Sequence, residues 1–447
     1  MQDSFQSKTK LSIPSSLPNS QLSKFKVHGL QPRIAASPKT SEEMSEIIRI
    51  AQKSNWGVAP FGSGTKQEIG NSPKRFDLAL STRFFNQIPE YEPQDLVVRV
   101  ESGCCLRKLQ NHLMTDRLWL PIDPPYSEKS TLGGIVATNS SGPCRFGNGT
   151  IRDYLLGIGI FQSDGSWTQF GSRVVKNVTG YDMCKLYTGS LGTLGIFSDF
   201  YFKLKPLPAC EKSVVMLFKN LQNIYDAMSL LAKSSLQPSA LEFLNSEGLR
   251  IVFQKMDLSQ KYNRYALIVR FSDLDKAVNW QVRELQQKWL PYVDEGIEVS
   301  NYKQHRLLWE MLRENKPYLS KYLNKNVKLK INILPSQLVH WIDLLEENLA
   351  GINSSVVLKA HAGNGIIQMY CHLENSVPTI QTLANLINEW RAKLRSSRGS
   401  VIIESGPKNL KKIVDTWGYC YKDLKIMSQI KNQLDPQEIL NPGRFVV

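Results

Sequence analysis

Residues 131–198 read TLGGIVATNSSGPCRFGNGTIRDYLLGIGIFQSDGSWTQFGSRVVKNVTGYDMCKLYTGSLGTLGIFS, a segment dense in glycine. The glycines recur at irregular spacing among small hydroxylic residues and short β-like runs. Glycine suits positions where φ is positive, or where a ligand must approach the backbone without a Cβ in the way. The segment therefore predicts a large ligand held mostly by main-chain groups, and a dinucleotide fits that description.

A shorter glycine loop precedes this segment. It has the sequence PFGSGTK, and its backbone N–H groups could form a nest around one anion. The residues of interest in it are Pro60, Gly62, Ser63, Gly64, Thr65 and Lys66. The run is not a Rossmann fingerprint, because Gln67 stands where the third glycine would be, and it is not a P-loop. The alternative interpretation is a glycine-rich turn between two strands.

Composition indicates an ordinary globular protein. The 447 residues suffice for two or three domains, and 42% are hydrophobic while 21% are charged. The net charge of +15 favours an anionic partner, which could be nucleic acid, a membrane surface, an acidic substrate or an acidic protein. Since no nucleic-acid motif is present and the basic residues are spread along the chain, we expect no nucleic-acid partner.

The cysteine pattern and the hydropathy of the sequence indicate where in the cell the protein should lie. The seven cysteines include no C-x-x-C pair, which argues against a zinc ribbon and against an iron–sulfur cluster held by this chain alone. Scattered cysteines in odd number are typical of reduced thiols in an intracellular protein. No apolar run reaches the roughly 18 residues of a spanning helix, and residues 1–28 lack a hydrophobic signal core. We expect a cytoplasmic protein with no transmembrane segment and a mobile arm at 1–28.

Alternating short strands and helices predict an α+β fold. Thr40 and Glu43 have capping-box spacing at the start of a helix that should end near Asn55. The glycine density falls after Pro208, and longer helical patterns follow, so we expect a second domain. The boundaries we predict are 29–208 for the first domain, 209–400 for the second and 401–447 for a C-terminal segment.

Several motifs in fixed order resemble one known family. The motifs are P-x-G-x-G-T, T-L-G-G-x-x-A-x-N, G-x-x-R-D, K-N-V-T-G-Y-D and G-S-L-G-T-L-G-I. Together they are similar to the FAD-binding domain of the vanillyl-alcohol oxidase family, also called PCMH-type. The closing L-D-P-x-x-I-L-N-P-G-R resembles the C-terminal signature of the 2-hydroxyacid branch. The short chain and HAGNG at 361–365 most resemble the FAD-binding E subunits of glycolate oxidases.

The resemblance implies a PCMH-type domain of two subdomains, a separate α+β cap domain and a C-terminal segment that returns to the FAD site. It implies that the Pro60–Lys66 loop binds the pyrophosphate of FAD. Carried over by position, the other FAD-binding residues are Thr131, Gly133, Gly134, Ser140, Ser141, Gly142, Arg152, Asp153, Gly192, Gly195, Ile196, Asn441 and Arg444. Covalent members attach flavin through His or Cys; the N-terminal loop has neither, so we expect non-covalent FAD.

Candidates for catalysis lie in the second domain. Lys328, Lys330 and Asn332 alternate with apolar residues on one strand face and could hold a substrate carboxylate; the alternative is a solvated strand face. His361 could be a base or a metal ligand, or a strand-end histidine in a glycine-rich turn. The larger dehydrogenases of the branch carry H-A-G-D-G-N-x-H and G-E-H-G for metal binding. Because this chain has neither motif, we assign no metal.

Two hypotheses follow from the resemblance. In the first, the chain is a FAD-dependent subunit that oxidises a small 2-hydroxyacid such as glycolate by hydride transfer to flavin N5. In the second, it is a non-catalytic FAD-binding subunit for electron transfer or assembly in a glycolate oxidase complex. Both require an external electron acceptor, so the expected partners are other oxidase subunits, including a separate flavoprotein and an iron–sulfur protein, one of which could attach the chain to a membrane.

Overall fold

The computed structural model describes residues 13–174, 180–256, 264–289, 292–299, 301–314, 318, 326–350, 356–373, 377–418 and 421–445. Residues 1–12, the start of the expected arm, lie outside the described residues. So do residues 175–179, which include most of the K-N-V-T-G-Y-D motif.

The first subdomain is a small parallel sheet with one helix. Its elements are β1 (Ile34–Ala36), α1 (Ser41–Lys53), β2 (Val58–Phe61) and β3 (Leu78–Ser81), and the strand order is β1-β3-β2. Thr40 caps α1 by accepting a hydrogen bond from Glu43 N, as its spacing predicts. The apolar stripe of α1 is fully buried against the sheet, which confirms the helix that the sequence predicts.

The second subdomain is built on a five-stranded antiparallel sheet in the order β4-β5-β9-β7-β8. In chain order its elements are β4 (Glu90–Glu92), β5 (Val97–Glu101), α2 (Leu106–Leu113), β6 (Leu118–Trp119), α3 (Leu132–Thr138), α4 (Arg145–Asn148), β7 (Leu155–Phe161), β8 (Trp167–Gly171), α5 (Met183–Tyr187), β9 (Ile196–Lys203) and β10 (Lys205–Pro206). β6 and β10 form a separate two-stranded ribbon.

The cap is an eight-stranded antiparallel sheet in the order β14-β11-β13-β12-β16-β17-β15-β18. Its strands are β11 (Cys210–Phe218), β12 (Ala240–Leu244), β13 (Tyr265–Asp273), β14 (Glu295–Val299), β15 (Asn326–Asn332), β16 (Val356–His361), β17 (Ile366–His372) and β18 (Ser400–Ser405). Its helices are α6 (Leu221–Lys233), α7 (Ser246–Lys255), α8 (Asp275–Trp289), α9 (Tyr302–Arg313), α10 (Leu338–Leu349), α11 (Val377–Leu394) and α12 (Lys408–Ile413).

The two faces of the cap sheet have different neighbours. Helices α6, α8, α10 and α11 bury one face in the largest hydrophobic core of the molecule. Helices α7 and α9 cover only part of the other face. The ends of β15, β16, β17 and β18 on that second face carry polar residues toward the first domain. The α+β class is confirmed, and the open part of this face positions the site.

Two predicted boundaries need correction. Residues 400–405 pair with β15 as the edge strand β18, so the cap sheet continues beyond residue 400. The arm is packed from residue 13 onward: Leu17 N donates to Ala35 O at 2.7 Å, and Val27 is fully buried. A mobile arm was therefore the wrong expectation for residues 13–28, because their apolar side chains complete the core of the first subdomain.

The C-terminal segment returns to the first domain, as expected. After α13 (Tyr421–Leu434), Ile439 and Leu440 enter the core beside α1. Val58 N donates to Ile439 O, and Asn441 N donates to Val58 O, each at 2.7 Å. The tail thus lies along β2, directly before the glycine loop. Among the described helices, none is both long and apolar enough to cross a membrane.

Candidate active site

Two adjoining cavities lie at the glycine loop, one within the first domain and its C-terminal tail and the other between the first domain and the cap. The small cavity, about 90 Å³, is lined by the glycine loop, the start of α3 and the C-terminal tail. The large cavity, about 820 Å³, is lined by the end of α3 and by the open face of the cap sheet. Thr65, Lys66 and Thr138 line both cavities, so the two meet at these residues.

Most of the predicted cofactor residues converge on the small cavity, although they come from three separate parts of the chain. Those that line it are Pro60, Gly62, Ser63, Gly64, Thr65, Lys66, Thr131, Gly133, Gly134, Gly192, Gly195, Ile196, Asn441 and Arg444. Ser140 and Ser141 line only the large cavity.

Glycine is required in the loop for two different reasons. A Cβ at Gly62 would overlap Thr131 Oγ1, so Gly62 allows the loop to contact the start of α3. Gly64 has φ of +74° and nothing within 4 Å of its Cβ position, so it exposes bare backbone to the cavity in a conformation that side-chain-bearing residues rarely adopt. Both features suit a loop that holds an anion through main-chain N–H groups.

Three predicted residues lie outside both cavities. A Cβ at Gly142 would overlap Asp123 O, so this glycine allows close packing. Asp153 accepts hydrogen bonds from Thr150 N and Thr150 Oγ1 and caps a short helical turn. Arg152 is exposed beside Asp182. The G-x-x-R-D motif therefore shapes a turn, and the assignment of these three residues to the cofactor stays a prediction.

Arg444 and Lys411 fix the backbone that follows the glycine loop. Arg444 donates to Gln67 O at 3.0 Å and to Asn71 O at 3.1 Å. Lys411 donates to Glu68 O at 2.7 Å and to Gly70 O at 3.0 Å. These carbonyls would otherwise be free to rearrange, so the C-terminal part of the chain determines the conformation of residues 67–71.

Buried polar atoms without a partner show that the site suits a polar cofactor. Asn441 and Arg444 line the small cavity, and Asn139 lines the large one. Asn441 Oδ1, Arg444 Nε and Asn139 Oδ1 are buried and have no hydrogen-bond partner among the residues that the structure describes. A buried polar atom without a partner costs on the order of 1–3 kcal/mol. Together with the open backbone at Gly64, these atoms fit a ligand that carries both phosphate and hydrogen-bonding ring groups.

The polar face of β15 contributes two charged groups to the large cavity, and the neighbouring strand β18 contributes a third. Lys328 Nζ lies 2.6 Å from Glu404 Oε2 on β18, and the two side chains are only 10% and 21% exposed. Lys330 lies two residues along the same face, while the alternating Leu329 and Ile331 are fully buried in the core. The predicted alternation is confirmed, and the alternative of a solvated strand face is wrong because the first domain covers it.

The charges of this cluster determine its ionisation. Burial alone would oppose ionisation of Glu404, but Lys328 and Lys330 outweigh it and hold the pKa of Glu404 at about 2. Burial lowers the pKa of Lys330, although Glu404 opposes this shift. Within the described residues, the Lys330 ammonium has no hydrogen-bond or ion-pair partner. Lys330 is thus a cation in the cavity that a ligand anion could bind.

His361 lies at the end of β16 with both ring nitrogens engaged. Nδ1 lies 2.6 Å from Glu242 Oε1, and Nε2 lies 3.3 Å from Gln368 Nε2. Burial lowers the pKa of His361 well below its ordinary value, and Lys359 adds to this shift. The imidazole is therefore neutral and is held in a network that continues from Gln368 Oε1 to the Tyr370 hydroxyl, which donates at 2.8 Å.

Sequence reasoning missed three polar residues that line the large cavity. Glu404 and Gln368 belong to cap strands, and Arg145 starts α4 in the first domain. Arg145 donates to Ser141 Oγ at 2.9 Å, while its Nε is buried without a partner. Gln368 could have been found from its register, since it pairs with Lys330 across β15 and β17. No local pattern distinguishes Arg145.

Metal ligands are not grouped in the part of the chain that the structure describes. Within it, no cluster of three or more His, Cys, Asp or Glu side chains could hold a metal ion. Near Lys328 and Lys330, the acidic group is Glu404, whose carboxylate is paired with an ammonium group.

Comparison with known proteins adds two family matches. Residues 32–171 match the family described as FAD binding domain, and residues 207–445 match the family described as FAD linked oxidases, C-terminal domain. The second match covers more than half of the chain. The two matched segments contain the glycine loop, the start of α3 and the C-terminal tail at the small cavity, and the cap strands of the large cavity.

Curated relatives and a solved structure agree with these matches. The chain is 24% identical to glycolate oxidase subunit GlcD of Bacillus subtilis, over 93% of this chain and 89% of the relative. It is 26% identical to mitochondrial D-2-hydroxyglutarate dehydrogenase of Rattus norvegicus, over 92% and 77%. The fold is similar to that of p-cresol methylhydroxylase with bound substrate, with TM-score 0.72, 14% identity, and coverage of 96% and 93%.

Proposed function

This chain belongs to the FAD-linked oxidases, with FAD as its cofactor, and we propose that it oxidises a small 2-hydroxyacid such as glycolate. The hydride would pass to flavin N5, and the electrons would then pass to an external acceptor. FAD, when bound, supplies the two-electron chemistry, and the protein supplies binding, orientation and electrostatics.

The observation that carries the proposal is the Lys330 ammonium in the large cavity. It has no hydrogen-bond or ion-pair partner among the described residues, and its charge acts on Lys66, which lines both cavities. Charge-assisted hydrogen bonds from such a cation are the strongest that a substrate carboxylate can make. Arg145 lies close enough to influence the charge on Lys330, so it could share the same carboxylate. Lys328 is paired with Glu404 and would orient this cluster.

We propose a positioning role for His361 in place of a base. Because both ring nitrogens are engaged, its contribution would be to hold the Gln368 amide toward the cavity. Gln368 could then hydrogen-bond the substrate. The neutral state of the imidazole suits this role, since it adds no charge beside Lys330.

Non-covalent attachment of FAD remains part of the proposal. Among the described residues, none that lines the small cavity is His or Cys. Cys144, the nearest candidate in sequence, lines neither cavity, and its thiol accepts a hydrogen bond from Arg270 at 2.6 Å.

The second candidate is a FAD-binding subunit without its own hydroxyacid oxidation. It is favoured by the sparse metal-ligating groups among the described residues, together with the absence of H-A-G-D-G-N-x-H and G-E-H-G from the sequence. Under either candidate, we propose that other oxidase subunits, including a second flavoprotein and an iron–sulfur protein, accept the electrons. A cytoplasmic location, with any membrane contact made through a partner, is part of this proposal.

Anaerobic mixing separates the two candidates. The purified chain is loaded with FAD and mixed with glycolate, lactate or 2-hydroxyglutarate, and the visible absorbance of the flavin is followed. Bleaching by one of these acids supports the first candidate, while an unchanged spectrum supports the second. A chain that takes up no FAD would contradict both.

A further inference from the structure

Lys66 differs from the rest of the glycine loop in the direction of its side chain. The loop lines the small cavity, but Lys66 Nζ donates to Ser140 Oγ, which lines only the large cavity. The amine therefore lies where the two cavities join. A lysine that served only to neutralise a phosphate in the loop would not need to reach the cavity lined by the cap.

We propose that Lys66 is the general base that accepts the hydroxyl proton of the substrate. This inference rests on the proposed function. The O–H bond of the hydroxyacid breaks and its proton joins the Lys66 amine, which becomes an ammonium. The C–H bond at Cα breaks with its electron pair leaving as hydride to FAD, and the C=O bond of the 2-oxoacid forms. The hydroxyacid is oxidised and FAD is reduced, so atoms and electrons balance.

The surroundings of Lys66 favour the neutral amine that a base requires. Burial lowers the pKa of Lys66 to about 7; the Glu404 carboxylate opposes this shift, Lys328 adds to it, Glu314 opposes it and Lys330 adds to it. These groups face Lys66 from β15, from β18 and from the residue after α9, while Ser140 faces it from the first domain. A base with a pKa near the working pH combines proton affinity with a large neutral fraction.

Other ionisable groups of the large cavity are less suited to this role. His361 has both nitrogens engaged, and the pKa of Glu404, about 2, makes it a weak base at neutral pH. Lys328 is held in its ion pair. Lys330 lines only the large cavity and is the cation available for the carboxylate, whereas Lys66 also lines the cofactor cavity. Among these groups, Lys66 alone lines both cavities.

Two substitutions distinguish a base from a phosphate-binding cation. Lys66→Arg keeps a positive charge but cannot deprotonate near neutral pH, and Lys66→Ala removes the amine. With FAD loaded, we expect Lys66→Arg to slow anaerobic flavin reduction by about 100-fold or more while FAD binding changes by less than about threefold. The exposed Lys129, changed to Arg, is the matched control and should behave as wild type.

The pH profile and chemical rescue provide readouts that a structural role would not change. The wild-type rate of flavin reduction should rise with pH through about 7, as Lys66 loses its proton. Lys66→Ala should lose this rise and recover activity with added ethylamine, in proportion to the free amine. Wild-type bleaching combined with equal rates in Lys66→Arg would overturn this inference alone. The absence of bleaching in wild type with all three acids would overturn the proposed function and this inference with it.

Discussion

Lys328 and Glu404 form their ion pair where the edge of the cap sheet is bulged. The register of β15 against β18 shifts between Lys328 and Leu329, and Glu404 is left without a ladder partner. Bulges occur often beside active sites, because they aim a side chain that regular pairing would constrain. The result is an anion held among cations at the entrance to the proposed substrate site.

Removing the ammonium of this pair should destabilise the protein most near neutral pH, where Glu404 is ionised. The pKa of Glu404, about 2, lies below its ordinary value near 4.3, so the stability from this carboxylate is present above about pH 4.3 and lost as pH falls through about 2. Lys328→Met should lower the free energy of unfolding by about 3 kcal/mol near neutral pH, and this difference from wild type should shrink as pH falls and Glu404 takes up a proton. Denaturation monitored by circular dichroism at several pH values measures both effects.

A double variant checks the cause of that loss. Lys328→Met combined with Glu404→Gln should recover most of the free energy, because no unpaired carboxylate remains. If the free energy of unfolding falls in the double variant by the sum of the losses in the two single variants, the ion pair does not stabilise the fold.

Substitution of Lys330 should weaken substrate binding with little effect on FAD. Lys330→Met removes the cation without a partner, so the KM for the hydroxyacid should rise by about 10- to 100-fold, the range for a charge-assisted hydrogen bond. Steady-state kinetics with an artificial acceptor measures it, with the exposed Lys276→Met as the matched control. An unchanged KM would place the carboxylate elsewhere in the cavity.

A side chain at Gly134 should lower the affinity for FAD more than it lowers the stability of the protein. Among the described residues, and apart from the backbone of α3 itself, Thr131 Oγ1 is the one atom within 4 Å of a Cβ there, at 3.4 Å, so valine would fit the protein but project into the small cavity. We expect Gly134→Val to lower FAD affinity by about tenfold or more. Gly64→Val should lower it as well, but there the positive φ adds backbone strain.

Gly296 offers the matched control for this change. It lies in β14, far along the sheet from the site, and nothing lies within 4 Å of its Cβ position. Gly296→Val should retain full FAD content. Equal FAD affinity in Gly134→Val and wild type would argue against the small cavity as the cofactor site.

Arg444 should affect the affinity for FAD indirectly, because it fixes the backbone of residues 67–71. Arg444→Gln removes the bonds to Gln67 O and Asn71 O, so residues 67–71 lose part of their fixed conformation. We expect FAD affinity to fall by about tenfold, measured by flavin fluorescence on titration of the apoprotein. Arg283→Gln, on the exposed face of α8, is the control and should change nothing. Wild-type affinity in Arg444→Gln would mean that the tail is dispensable.

The fold was largely accessible from the sequence because its signals are local. Thr40 capping α1, the apolar stripe of that helix and the alternation along β15 all depend on short spacings, and the structure confirms each of them. The motifs around Gly62 and Thr131 predicted a shared site because both segments carry glycine where a ligand must approach. The structure brings them together through the contact of Gly62 with Thr131.

The residues of the large cavity were harder to predict from the sequence, because their arrangement depends on contacts between strands that are distant in sequence. Glu404 lies 76 positions after Lys328 in sequence, and the bulge that aims it has no local pattern. Burial of Lys328 and Lys330 depends on the first domain covering an open sheet face, which no spacing in β15 reveals. Asp153 is the opposite case: a local helix cap already satisfies its carboxylate, and its assignment to the cofactor stays a prediction.

The most direct test is a crystal structure of the FAD-loaded chain with a bound 2-oxoacid product. We predict that the diphosphate of FAD lies against the backbone of Gly62 and Gly64, and that the product carboxylate lies within hydrogen-bonding distance of Lys330 Nζ. A product carboxylate bound away from Lys330, or FAD bound outside the glycine-lined cavity, would contradict the account.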